Sequence, residues 1–174
     1  MDEGKFPPRL AREAIRVYLR EGREISPPAD FAKEFRKKAG AFVSLHKRGR
    51  LRGCIGTYLP AEKNIVCEII KNAISAATRD PRFPPMGEDE LKDVEISVDV
   101  LSEPERIYSE KDLDPEKYGV IVSKGWQKGL LLPDLEGVDT AEHQIEIAKQ
   151  KAGLRRIPNK ELEIQRFTVT RYEE

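Results

Sequence analysis

Apolar residues recur along this chain at two spacings, near four and at two, and the order in which the spacings change predicts its elements. Leu10, Ala14, Val17 and Tyr18 fall on one helical face, with Pro8 suited to a first turn and Gly22 placed to end it, so the first helix is expected over 8–21. After a Ser26-Pro27-Pro28 break, Asp30 to Lys38 reads as a short helix with Phe31 and Phe35 on one side. Phe42 to His46 and Leu51 to Tyr58 are rich in β-formers and flank Lys47-Arg48-Gly49-Arg50, which predicts a hairpin. On its second strand Arg52, Cys54, Gly56 and Tyr58 share one face, and Leu51, Gly53, Ile55 and Thr57 the other. A tight turn at Arg48-Gly49 pairs His46 with Leu51, on the face away from Cys54.

Asn64 to Thr78 is apolar on most sides, leaving Glu68, Lys71 and Asn72 for solvent, and its alanines allow another backbone to approach closely. It stops at Arg79-Asp80-Pro81-Arg82-Phe83-Pro84-Pro85, a stiff extended loop because proline removes donors and fixes φ. Val94, Ile96, Val98 and Val100 alternate with polar residues as a half-buried strand. Tyr118 to Ser123 and Leu130 to Leu132 predict a second hairpin, and Asp139-Thr140-Ala141-Glu142 caps a helix closed by Gly153. Leu162 to Tyr172 reads as one long strand in the sheet of the first hairpin, with a bulge near Gln165-Arg166 to absorb a change of phase between Ile164 and Phe167. Because hairpins dominate the strand connections, the expected fold class is α+β with a largely antiparallel sheet and flanking helices.

Composition bounds this picture. A chain of 174 residues suits one domain or two lobes, and its longest apolar runs fall far short of a membrane span, so a soluble protein is expected. Met1-Asp2-Glu3-Gly4-Lys5 lacks the basic and apolar segments of a secretory signal, which makes the cytoplasm the expected location. There the two cysteines, Cys54 and Cys67, are expected as free thiols. Balanced charge with few Met and Cys resembles thermophile composition. The net charge of zero conceals a basic stretch, Lys33 to Arg52, and an acidic one, Glu88 to Glu116. These are either a partner-binding patch and its counterpart or two solvated faces that balance each other.

The chemistry concentrates in two motifs. Leu51-Arg52-Gly53-Cys54-Ile55-Gly56 sets a thiol between glycines and beside a guanidinium. As a functional site, Arg52 favours the thiolate and the bare glycines admit a ligand to the backbone, with Cys54 as nucleophile. As structure, Cys54 is a small buried hydrophobe and the glycines mark a bulge or a crowded backbone. In the second motif, Asp80, Arg82 and Phe83 either present an acid, a cation and a ring to a cleft, with Asp80 orienting or transferring a proton, or cap and plug the local fold. Cys54, Arg52 and Asp80 are expected to converge. Zinc spacing is absent, so neither metal nor cofactor is expected, and Gly53-Cys54-Ile55-Gly56 matches the KH-loop pattern only by accident, since its flanks read as strand.

Taken with Gly40 to Leu45, Asp80-Pro81-Arg82-Phe83, Tyr118-Gly119-Val120, Gly129 to Pro133 and Lys151 to Leu154, the Leu51 to Gly56 signature resembles the AMMECR family over nearly the whole chain. The resemblance implies a single AMMECR domain over 1–174, with two unequal lobes, the last strand returning to the first lobe, and a cleft near the signature. The residues of the two motifs occupy the family's signature and the motif that follows it, and their chemistry makes Cys54 and Asp80 the candidate catalytic residues and Arg52, Gly53, Gly56, Arg82 and Phe83 the candidate ligand-binding ones. The resemblance also implies association with a Memo-like protein and a radical S-adenosylmethionine protein. The function that goes with it is open between an enzyme or ligand-binding protein and a noncatalytic module for protein or nucleic acid.

Overall fold

Proline at the first helical positions, where a missing N–H costs nothing, starts helix α1, Phe6–Glu21, and Gly22 ends it at φ 68° with its N–H bonded to the Tyr18 carbonyl. This computed structural model describes residues 3–174, so the reading made at Met1-Asp2 lies outside the described residues. The segment expected as a second helix supplies only a 3-10 turn, Lys33–Arg36. Lys37 is already extended, and its carbonyl accepts the Ile65 N–H at 2.9 Å, so the chain is drawn straight into the first strand instead of continuing to coil.

Strands β1 (Ala41–Lys47) and β2 (Arg50–Thr57) form the expected hairpin, followed by helix α2 (Ile65–Thr78) and strand β3 (Val94–Leu101). Asn64 caps α2, its side chain accepting the Cys67 N–H at 2.9 Å. After the two-residue strand β4 (Glu105–Arg106) come β5 (Gly119–Lys124), β6 (Gln127–Leu131), helix α3 (Ala141–Ala152), β7 (Glu163–Phe167) and β8 (Val169–Glu173). The strands lie in two four-stranded sheets, ordered β2-β1-β3-β8 and β4-β7-β5-β6, and the registered pairs are antiparallel. The fold is α+β.

The chain forms two compact units: the described residues to Val100 with Thr170–Glu174, and Leu101–Val169. In the first, α2 packs on β1 and β2 and α1 packs on α2, around a core that includes Ile15, Val43, Ile69 and Val98. In the second, α3 covers β5 and β6 over Val120, Val122, Ile145 and Ile164. The chain enters and leaves this second unit at adjacent points, because Ser102 donates its N–H to the Thr168 carbonyl and its hydroxyl accepts the Thr168 N–H, both at 2.9 Å.

Two expectations are corrected here. Leu162 to Tyr172 is not one bulged strand: β7 pairs with β5 through both Ile164 and Phe167 without a bulge, so the change of phase reflects burial of both its faces, and the chain then breaks at Thr168, with β7 in the second sheet and β8 in the first. Glu68 and Asn72 are buried, not solvent-facing. Glu68 accepts the Thr57 hydroxyl and the N–H groups of Ala61 and Glu62, while Asn72 donates to the Ala41 carbonyl at 2.9 Å. Glu68 fastens the loop between β2 and α2 and Asn72 ties α2 to the start of β1, needs that outweigh the helical pattern. Among the described residues, no helix is long and apolar enough to cross a membrane.

Candidate functional site

Strand β2 is the edge of the first sheet, and its geometry turns on one irregularity. Leu45 pairs with Gly53 but His46 pairs with Leu51, which leaves Arg52 as the extra residue of a bulge. Beyond the bulge the expected alternation holds. Gly53 faces α2, on the side of the buried Val43 and Leu45, and Cys54 faces away from it, directly opposite Ser44. Across the bulge the order of faces inverts, so Leu51 and His46 come to the Cys54 side of the sheet. The expectation that His46 lies on the opposite face is thereby overturned, although no hydrogen bond joins His46 to Cys54 among the described residues.

Arg52 is therefore not the thiol's companion. Its Nε and Nη2 bond the two carboxylate oxygens of Glu90 at 2.8 and 3.0 Å, and Nη2 also reaches the Pro84 carbonyl at 3.0 Å. Lys47 joins the same carboxylate at 3.0 Å, and these contacts, those of Arg52 foremost, hold Glu90 below the usual carboxylate range. At this point the basic stretch is neutralised by the acidic one.

Asp80 meets Cys54 at its backbone instead of its sulfur. The Asp80 carboxylate accepts the Cys54 N–H at 2.9 Å, the Arg82 N–H and Nε at 3.0 Å each, and Arg82 Nη2 at 2.8 Å. Those four donors fill the acceptor capacity of a carboxylate. Arg82 above all, then the two backbone N–H groups, hold Asp80 far below the ordinary aspartate value despite its 4% exposure. The local sequence explains the arrangement: Asp-Pro-x closes an Asx turn on the Arg82 N–H, and Pro81 has no N–H to compete. Arg82 Nη2 also donates to the Cys54 carbonyl at 3.1 Å, so Asp80 and Arg82 satisfy both outward groups of an edge-strand residue, as a neighbouring strand would.

The thiol itself accepts the Ser44 hydroxyl at 3.2 Å, and Ser97 lies opposite Ser44 on β3, so sulfur and two hydroxyl-bearing residues form a row across the sheet. The cation near Cys54 is Arg82, whose elevated pKa owes most to Asp80 and also reflects interaction with Cys54. Phe83 packs against both guanidiniums, with its centroid 5.9 Å from Arg52 and 5.5 Å from Arg82. The glycines are crowded by the protein's own atoms. A Cβ on Gly53 would stand 2.2 Å from the Ala76 carbonyl oxygen, and one on Gly56 2.3 Å from the Phe42 ring.

Cys67 is half-buried and unpaired, its thiol pushed up by burial, and Cys54 is also free. Among the described residues there is no group of three or more His, Cys, Asp or Glu side chains placed to hold a metal. Two cavities of this unit, of about 360 and 410 Å³, lie around Phe6, against the 25–36 segment. Sequence reasoning missed Ser44 and Glu90: the first needed the bulged register, the second a distant partner for Arg52.

A family model described as AMMECR1 matches residues 8–172. A protein of Thermotoga maritima is 57% identical over 164 residues, which cover 91% of this chain and 94% of that protein. Protein CA_C1420 of Clostridium acetobutylicum is 52% identical over 168 residues, covering 95% of this chain but 35% of the relative, so the chain spans about a third of that protein's length. The crystal structure of uncharacterized protein PH0010 from Pyrococcus horikoshii superposes with a TM-score of 0.88 at 36% identity, covering 99% of this chain and 92% of that one.

Proposed function

The chain belongs to the AMMECR1 family, and from that premise we propose that the signature strand supports ligand binding on the face of the first sheet that carries Cys54 and Ser44, not proton transfer through Asp80. The observation that carries this reading is the division of labour around β2. Asp80 and Arg52 spend their charges on internal partners, whereas the half-buried Cys54 sulfur lies on the sheet face away from α2, with a hydroxyl at 3.2 Å. A carboxylate with four donors and a depressed pKa is a poor base near neutral pH. Gly53, Gly56 and Phe83 then serve as packing, and Arg82, although its charge is paired with Asp80, keeps its side chain more than half exposed and so can still donate to a polar group.

The test is capture of small molecules by the purified protein and by its Cys54→Ala form, with thiol alkylation followed against pH. Binding lost in Cys54→Ala supports the reading. A thiol that alkylates with a pKa well below the ordinary ~8.5 and a turnover-dependent product would instead restore the nucleophile. A cytoplasmic setting agrees with the two free cysteines. Work beside other proteins, such as the Memo-like and radical S-adenosylmethionine proteins, belongs to the same proposal and rests on the family resemblance.

A further inference from the structure

We propose that the second unit carries a docking surface for an extended acidic peptide segment of a partner protein, built from Trp126, Tyr108 and the cavity beside them. Trp126 is 90% exposed and Tyr108 85%, the two most exposed large side chains among the described hydrophobic residues. Neither exposure is demanded by the fold. Lys124 pairs with Gln127, so Gly125-Trp126 is a two-residue turn, and Gly125 at φ 60° supplies the one left-handed residue it contains. Such a turn accepts almost any residue at its second position, whereas an indole in water is unfavourable there.

The segments carrying the two aromatics meet the same short turn. Lys124 bonds Glu161 at 2.7 Å, which sets the Trp126 turn beside the Asn159–Glu161 turn, and Asn159 donates to Glu110 at 2.7 Å, which closes the other side against the segment carrying Tyr108. Beside Tyr108 lies a cavity of about 350 Å³, with Ile107, Leu162 and Ile164 as apolar lining and Tyr108 and Asn159 in its wall, and the Lys124–Glu161 pair ties the Trp126 turn to the Asn159–Glu161 segment that borders it. That space takes one large apolar side chain. Asn159 in the same wall has a buried Oδ1 without a hydrogen-bond partner, so the site's own polar set is incomplete.

Charge selects the occupant. At the rim, Glu161 is neutralised by Lys124, and the charge of Glu110, which accepts from the neutral Asn159 amide, stands against the two cations Arg106 and Lys160, so the lining keeps a positive excess. Arg106 lies over the Tyr108 ring at 5.4 Å, and neither Arg106 nor Lys160 has an ion pair among the described residues. An apolar anchor flanked by Asp or Glu therefore complements this surface, and exposed Trp and Tyr around an apolar pocket are what protein recognition sites use for affinity.

The test uses the full chain as selector for 12-residue random peptides displayed on phage, with tryptophan-free winners then synthesised. Trp126 is the single tryptophan and reports occupancy directly. The expected result is an apolar-acidic consensus, a blue shift of the emission on binding, and at least about ten-fold weaker binding to both Trp126→Ala and Tyr108→Ala by calorimetry. Both variants should unfold at the wild-type urea concentration, because neither side chain packs in the core. No enriched peptide, or peptides that bind both variants unchanged, would overturn the proposal. So would a dT12 oligonucleotide that shifts the emission at lower concentration than any peptide, which would make the surface a nucleic-acid platform.

Discussion

Arg48 occupies a conformation that its side chain does not suit, and replacing it with asparagine should stabilise the protein. Lys47 pairs with Arg50, so Arg48-Gly49 is a two-residue turn, with φ of 51° at Arg48 and 72° at Gly49. Two left-handed residues in succession define the type I′ turn, for which Asn-Gly is among the preferred sequences. A side chain with a Cβ costs about 1–2 kcal/mol there, and asparagine recovers part of it through local hydrogen bonding, so Arg48→Asn should gain about 0.5–1 kcal/mol. Nothing offsets the gain, because Arg48 is exposed and has no ion pair among the described residues. In urea unfolding the midpoint should rise by about 0.3–0.5 M at constant slope. Arg50→Asn is the control: it removes the same charge from an ordinary strand position and should leave the midpoint in place. If Arg48→Asn gains nothing, or if Arg50→Asn gains as much, strain at the turn is not the cause.

Gly53→Ala should cost about 3 kcal/mol in the same assay, since its Cβ would overlap a backbone oxygen of α2 that cannot swing aside, whereas Gly49→Ala, with open space around it, should lose only about 1 kcal/mol to its left-handed φ. Equal losses would remove the steric account of the signature. Asp80→Asn should cost about 2–3 kcal/mol at pH 7 through the broken pair with Arg82 and the Cys54 N–H. Because Asp80's folded pKa is depressed, its contribution is present above the unfolded value of about 3.9 and fades as pH falls below it. The gap between wild type and Asp80→Asn should therefore narrow from pH 7 to pH 3; a constant gap would contradict the ionised pair. Glu68→Ala leaves the N–H groups of Ala61 and Glu62 without their acceptor, so hydrogen exchange at these two amides should accelerate at least about ten-fold. Unchanged protection there would mean that another group holds the loop.

The hairpin of β1 and β2 was legible because β-formers bracket a turn whose glycine stands at the right place, and β3 because its valines and isoleucine keep strict alternation. The bulge at Arg52 was not, since nothing local distinguishes an extra residue from a paired one, and that single residue moved His46 to the Cys54 face and Arg52 toward Glu90. Between Ile164 and Phe167 the change of phase was visible, but its cause is neither a bulge nor a change of sheet: β7 pairs with β5 through both residues and buries both of its faces. The break at Thr168 had no local signal, because it depends on pairing with Ser102, more than sixty positions away. Asp80 did come to Cys54, as expected of the two motifs. Its attachment to the backbone N–H instead of the sulfur depended on the edge position of β2, a property of the whole sheet.

The return of β8 to the first sheet has a consequence for how the protein comes into being. The second unit is continuous in sequence, Leu101–Val169, whereas the first is assembled from the residues before it and Thr170–Glu174 after it. During synthesis the first unit therefore emerges with its fourth strand missing, and with Arg12 deprived of the Glu174 carboxylate, which also takes the Ile96 N–H. The open edge of β3 must wait, unpaired, while about seventy further residues are made. The inserted unit has all its own contacts by then, so it is free to fold first, and its closing pair, Ser102 with Thr168, delivers the following residues to the strand that has been waiting for them.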